Sequence, residues 1–130
     1  LLHRIIPAEA ILDHAESVQK LRLAGCRIVL SQVGRDLQIF NSLKANMADY
    51  LLLDGELCAN VQGNLMDEML ITIIQGHAQR LGMKTIAGPV VLPLVMDTLS
   101  GIGVDLIYGE VIADAQPLDL LVNSSYFAIN

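Results

Sequence analysis

Tryptophan is missing from this chain, aromatic residues make up only 4% of it and charged residues only 17%. An ordinary soluble domain is roughly 25% charged, so an unusual share of this surface is buried. Cysteine is scarce too. Cys26 and Cys58 are too few for a disulfide-stapled scaffold, and their apolar contexts predict buried, reduced thiols. Long apolar runs are absent: the longest, residues 50–53 and 126–129, are far short of the ~20 residues a membrane-spanning helix needs. Positive charge is in short supply, with 8 Lys and Arg against 14 Asp and Glu for a net charge of −6. That balance gives no electrostatic footprint for a nucleic acid polymer. No signal peptide is visible and no initiator Met is present, so the chain reads as a cut from a longer, cytoplasmic polypeptide.

What is present is apolar. The 130 residues are 53% hydrophobic with a mean hydropathy of +0.51, which excludes disorder and is enough for the core of one domain spanning 1–130. Short, continuously apolar runs at 27–32 (RIVLSQ), 50–54 (YLLLD), 84–87 (KTIA) and 105–108 (DLIY), with a weaker one at 1–6, read as about five strands. Continuous rather than alternating runs suit parallel strands covered on both faces. Helical periodicity lies between them. Residues 8–23 place Ile11, Leu12, Ala15, Val18 and Leu21 on one face. The clearest helix has Asn64 as its cap, Asp67 and Glu68 in its first turn, apolar positions from Leu65 to Leu81 and Gly82 as its stop. Within it Met66 and Met69 read as core, and His77 as partly buried. Shorter helices are expected at 38–45, 92–99 and 118–122. The βα alternation specifies an α/β fold with a parallel sheet. Length alone favours a flavodoxin-like sheet over part of a (β/α)₈ barrel, which typically needs ~250 residues.

Motifs reverse that preference. Gly25-Cys26-Arg27-Ile28-Val29-Leu30-Ser31-Gln32-Val33-Gly34 stands where EAL domains show a strand ending D-D-F-G. Leu51-Leu52-Leu53-Asp54 takes the place of a strand ending K-I-D, and Ala78-Gln79-Arg80-Leu81-Gly82 that of a helix ending A-x-x-L-G. Ile86-Ala87 then opens a counterpart of I-A-E-G-V-E-T, and Gly103-Val104-Asp105 through Tyr108-Gly109 one of G-C-D-x-x-Q-G-Y. From Gly25 onward the chain therefore resembles the C-terminal part of EAL domains, the bacterial phosphodiesterases that hydrolyse cyclic di-GMP. The resemblance implies parallel βα units forming part of a TIM-type (β/α)₈ barrel.

It also implies what has been lost. An EAL phosphodiesterase is expected to hold two divalent metals on carboxylates at the C-terminal strand ends, where they activate water and polarise the phosphate. Here the acidic pair is Ser31-Gln32, the lysine is Leu52, the two glutamates are Gly88 and Val91, and the glutamine is Tyr108. Arg4 and Pro7 stand nearest to the family's E-x-T-E, and the E-A-L segment itself is not in the chain. Asp54 alone survives. One carboxylate cannot hold a two-metal centre, so the resemblance implies no hydrolytic activity, no catalytic residue, no metal and no cofactor.

The remaining candidates are weighed on their own chemistry. Asp54 ends a strand, where α/β folds place functional groups, but before Gly55 it more simply bonds the next turn. A receiver domain of a response regulator would also place an Asp there; the acidic pair and lysine that should accompany it are missing. His3, His14 and His77 lie at no metal-ligand spacing. Gly101-Ile102-Gly103 reads as a helix end and turn rather than a phosphate loop.

The expectation is a degenerate EAL domain of a bacterial signalling protein, acting as a regulatory or protein-interaction module. Its partners would be another protein or other domains of the parent chain. The alternative is a non-hydrolytic cyclic di-GMP receptor, with a vestigial pocket at Ser31, Gln32, Arg35, Asp54 and Tyr108. A third option is a structural remnant packed on neighbouring domains. Open sheet edges also predict self-association, or a compact non-barrel packing.

Overall fold

The computed structural model describes residues 2–113 and 127–129. Its sheet holds β1 (His3–Pro7), β2 (Arg27–Val33), β3 (Tyr50–Leu53), β4 (Lys84–Ala87) and β5 (Leu106–Tyr108), all parallel. A further strand, β6 (Phe127–Ile129), pairs antiparallel with β5. It lies in the apolar run 126–129, which is outside the five strands expected from the sequence. The strand order is β1-β2-β3-β4-β5-β6, climbing without reversal. A doubly wound sheet turns back at a switch point; this one advances as a barrel wall does. Consecutive order removes the flavodoxin-like and receiver-like alternatives.

Among the described residues five α-helices connect or flank the strands: α1 (Ala15–Leu23), α2 (Gly55–Ala59), α3 (Leu65–Leu81), α4 (Pro93–Ile102) and α5 (Glu110–Ala113). The sequence signals set the boundaries of the long ones. Asn64 caps α3 by accepting from the Asp67 N–H at 3.2 Å, and left-handed Gly82 ends it. Pro93 opens α4 at a position where its missing N–H removes no helical bond, and left-handed Gly103 closes it. The helix expected over 8–23 is divided. Ala8–Ala10 forms a 3-10 turn, residues 11–14 are turns, and α1 starts only at Ala15. Residues 38–45 likewise give a 3-10 turn, Leu37–Asn41, in place of an α-helix. The helix expected at 118–122 lies outside the described residues.

The pleat sorts the sheet into two unequal faces. Ile28, Leu30, Leu51, Leu53, Thr85, Ala87 and Ile107 share the face that the helices cover, and all are buried. Ile11, Val18, Leu57, Ile71, Ile74, Ala78 and Leu99 pack against them in one core. Each such side chain contributes roughly 1.5–3 kcal/mol of burial. On the opposite face Val29 and Ile86 are buried, but Ser31, Tyr50, Leu52 and Leu106 are only half-buried. Coverage on both faces is therefore incomplete. β1 is the most exposed of the five parallel strands, with Leu2 before it and Ile5 within it 77% and 62% exposed.

Three further expectations change. Met66 and Met69 lie on the outside of α3, not in the core, because Ile71, Ile74 and Ala78 supply its inner face. Leu12 is exposed, in the turn before α1. Cys58 is buried but Cys26 is only half-buried, and both are free thiols.

Candidate functional site

Parallel strands aim their C-terminal ends at one rim of the sheet, where α/β folds assemble sites. The rim here is formed by the ends of β2, β3, β4 and β5 and the loops that follow them. Its first departure from regularity is in β2. Leu30 pairs with Leu51 and Val33 with Leu53, so β2 spends one residue more than β3 over the same step. This is a β-bulge over Ser31 and Gln32, with Gln32 at φ 61°. Bulges re-aim side chains beside active sites. Nothing in the residue pattern announced this one. Ser31 is half-buried and Gln32 is exposed.

Asp54 follows β3, and its backbone N–H donates to the Val33 carbonyl at 2.8 Å. Its carboxylate accepts from the Glu56 N–H at 3.3 Å and so caps α2. The loop after β2 comes close: a Cβ on Gly34 would lie 3.0 Å from the Asp54 Cβ. The bland reading of Asp54, a strand-ending residue that bonds the next turn, describes what its side chain does.

Arg35, in the loop after β2, is paired rather than free. Its guanidinium grips Asp67 of α3 with bonds of 2.7 and 3.3 Å. Asp67 is only 1% exposed, so this buried carboxylate depends on Arg35 for its counter-charge. The pairing also raises the Arg35 pKa above its ordinary value. Sequence reasoning assigned Asp67 to a helix first turn and missed this tie between a rim loop and α3.

At β4 and β5 the backbones close on each other. The Val90 N–H donates to the Tyr108 carbonyl at 2.9 Å, and the Val111 N–H to the Val90 carbonyl at 3.1 Å. A Cβ on Gly88 would lie 2.6 Å from both the Tyr108 carbonyl oxygen and its ring. Tyr108 is half-buried and fills the space where a side chain at position 88 would start. Cys58 of α2 sits nearby, and burial pushes its thiol up to about 11 against a hydrogen bond from the Gly88 backbone. That thiol is inert at neutral pH.

The structure thus joins Asp54 to the loop after β2, sets Tyr108 against Gly88, and pairs Arg35 with Asp67 in the first turn of α3, within electrostatic reach of Asp54 and Glu56. None of the five candidate residues lines the three open hollows between Gln62 and Ile102, beside Leu65 and Ile73, and around Arg22 and Asp49. Among the described residues no three His, Cys, Asp or Glu side chains stand close enough to share a metal ion. The rim does not fit a two-cation centre. Its one strand-end carboxylate has an oxygen engaged in a helix cap, and hard cations need several charged oxygen ligands.

The field around the rim is negative all the same. Helix first turns, which lie on the rim side, carry Glu9, Glu16, Glu56, Asp67, Glu68 and Glu110. Last turns carry Lys20, Arg22 and Arg80, while Arg27 opens β2 and Lys84 opens β4. The arrangement complements the helix dipoles. It also gives the domain an acidic rim and a basic base.

The EAL domain family model matches residues 5–115. The chain belongs to the EAL domain family. This EAL chain is 99% identical over 130 residues to the probable diguanylate cyclase DgcE of Escherichia coli K12, of which it spans 12%. It is 28% identical over 102 residues, 78% of its length, to the cyclic di-GMP phosphodiesterase PdeF of the same strain, spanning 14% of that protein. Among solved structures, the Xanthomonas citri FimX EAL domain in complex with cyclic di-GMP matches with a TM-score of 0.75 at 25% identity. That alignment covers 86% of this chain and 46% of the FimX chain. The resemblance read from the motifs is correct, and the sheet is the α/β wall of a TIM-type EAL barrel.

Proposed function

We propose that this chain is a non-hydrolytic EAL domain of a bacterial cyclic di-GMP signalling protein, acting as a regulatory module that engages protein. On this reading 1–130 is one domain unit, the C-terminal part of the barrel, and it works in the cytoplasm. Its partners are a second protein or other domains of its parent chain. No described helix is long and apolar enough to cross a membrane. The observation that carries the reading is the state of the rim. Where the family is expected to place metal-binding carboxylates, this chain has Ser31, Gln32, Gly88 and Val91, and the surviving Asp54 caps a helix. A glutamate at position 88 would have no room beside Tyr108.

A second reading is favoured by the FimX relative, which is in complex with cyclic di-GMP. As a receptor, this chain would hold the dinucleotide against Ser31, Gln32, Arg35, Asp54 and Tyr108. Two features weigh against it. Arg35, the cation the sequence offered for a phosphate, is committed to Asp67. The acidic first turns around the rim also repel a dianion.

Two assays test the proposal. With cyclic di-GMP and Mg²⁺ or Mn²⁺, no linear dinucleotide is expected; its release, abolished by Asp54→Ala, overturns the non-hydrolytic reading. Calorimetric titration separates module from receptor. No heat is expected at about 100 μM dinucleotide, a concentration corresponding to roughly −5 kcal/mol of affinity; a saturating isotherm there establishes the receptor.

A further inference from the structure

Helix α3 is apolar on two sides, and only one of them serves the fold. Ile71, Ile74 and Ala78 are fully buried against the core. The outer side carries a second stripe: Leu65, Met66, Met69 and Ile73 are 69%, 66%, 50% and 43% exposed. Leu65, Met69 and Ile73 recur at i, i+4 and i+8, so they form one ridge about 12 Å long. Beyond it Gly76 adds no side chain, and a Cβ there would meet nothing within 4 Å. The helix beneath is firmly held, capped by Asn64 and Gly82 and tied through Asp67 to Arg35. A rigid helix with an exposed apolar ridge is a binding platform rather than a folding requirement.

The border of the ridge says what it fits. Between α3 and α4 runs an open groove of about 680 Å³, lined by Gln62, Gly63, Glu68, Thr72, Asp97, Thr98, Gly101 and Ile102. Glu68 and Thr72 also line the smaller hollow formed with Leu65, Met69 and Ile73. Ridge and groove are therefore one continuous surface. Its two ionisable lining residues are the carboxylates of Glu68 and Asp97, and no basic residue lines it. A dianionic nucleotide is repelled there. A second copy in a two-fold contact would bring the same acidic patch against itself, an unfavourable pairing in a chain of net charge −6.

We infer that the α3–α4 surface docks a basic amphipathic helix of a protein partner, its apolar side on Leu65, Met69 and Ile73 and its Lys or Arg residues against Glu68 and Asp97. Apolar anchors spaced i, i+4 on the partner match the ridge, and methionine adapts to the side chains it meets. This assignment deepens the interaction-module reading and rests on it.

The test uses the 130-residue chain and a labelled 18-residue Leu/Lys peptide patterned as an amphipathic helix, with a Leu/Glu twin as its control. Anisotropy is expected to show binding of the Leu/Lys peptide and none of the twin. Met69→Gln with Ile73→Gln, which changes no charge, should weaken binding at least tenfold. Glu68→Gln with Asp97→Asn should weaken it about threefold, whereas Glu9→Gln with Glu16→Gln leaves it within twofold. Absence of binding, equal binding of the twin, or indifference to the Met69/Ile73 pair overturns the assignment. A photo-crosslinking form of the peptide reads the site in the unaltered chain. Adducts within 62–73 and 97–102 support the surface, and adducts at the strand-end rim overturn it. Cyclic di-GMP turnover by the same preparation would instead contradict the module reading itself.

Discussion

The two ends of the sheet use the same residue types for different ends. At the base, where the strands begin, Asp49 accepts from Arg22 at 2.9 and 3.3 Å and from the Ile28 N–H at 2.8 Å, with Arg27 at 3.5 Å. Arg22 also donates to the Asn46 carbonyl. Asp105 repeats the device before β5, accepting from the Thr85 N–H at 2.9 Å while its own N–H donates to the Thr85 hydroxyl at 3.1 Å. Each Asp ties the start of one strand to its neighbour. At the rim, the Asp54 carboxylate bonds its own following turn, and Ser31, Gln32 and Gly88 on the neighbouring strand ends are neutral. In barrel folds the base carries stability and the rim carries chemistry. This chain has a well-bonded base under a rim where Ser31, Gln32 and Gly88 are neutral, which supports the proposal of a scaffold retained for its shape.

Substitutions at the two ends should separate those roles, beginning with the largest effect. Restoring a rim carboxylate by Gly88→Glu drives its Cβ into the Tyr108 carbonyl and ring. It should destabilise by about 3 kcal/mol or more in denaturant unfolding and restore no activity. At the base, Asp49→Ala strands Arg22 and the Ile28 N–H. A loss of about 2 kcal/mol is expected, less than for a fully buried pair because water reaches the arginines. Thr85→Val removes the hydroxyl shared by Gln75 and Asp105, for about 1–2 kcal/mol. At the rim, Asp54→Ala should cost only about 1 kcal/mol, the worth of a helix cap. If Asp54→Ala equals or exceeds Asp49→Ala in equilibrium melts, the contrast between the ends is wrong.

Acid unfolding sharpens the same comparison. Burial pushes the Asp49 carboxyl up, but the Arg22 bond, the Ile28 N–H and the charges of Arg22 and Arg27 outweigh it and hold the pKa below its ordinary value. A lowered folded-state pKa stabilises fully above the unfolded value of about 3.9, and that contribution is lost as pH falls through the folded one. Stability should therefore decline below about pH 4, and Asp49→Asn should flatten that limb.

Much of the scaffold was legible in the residues. β4 at Lys84–Ala87 lies where a strand was expected from the residues, and α3 could be read from the polar cap and glycine stop that satisfy its ends. The five parallel strands followed from the apolar runs and the βα alternation, and the EAL likeness from the motifs. What stayed hidden depends on contacts between distant residues. The bulge at Ser31-Gln32 exists only relative to β3, so one strand read alone cannot show it. Arg35 looked available for a ligand until α3 brought Asp67 to it across 32 residues of sequence. Met66 and Met69 share helical spacing with core residues, and periodicity cannot choose which of two apolar stripes faces inward. The closure at Gly88 is likewise invisible, because glycine signals permission for a close approach without naming Tyr108 as the neighbour.

The central claim is that the rim of this EAL scaffold lacks the carboxylate set needed to hold paired divalent cations. Calorimetric titration of the 130-residue chain with Mn²⁺, in parallel with Asp54→Ala, tests it most directly. The account predicts no saturable two-ion isotherm below about 100 μM and indistinguishable traces for the two proteins. Two equivalents of Mn²⁺ bound in that range by the unaltered chain, and lost in Asp54→Ala, would contradict it.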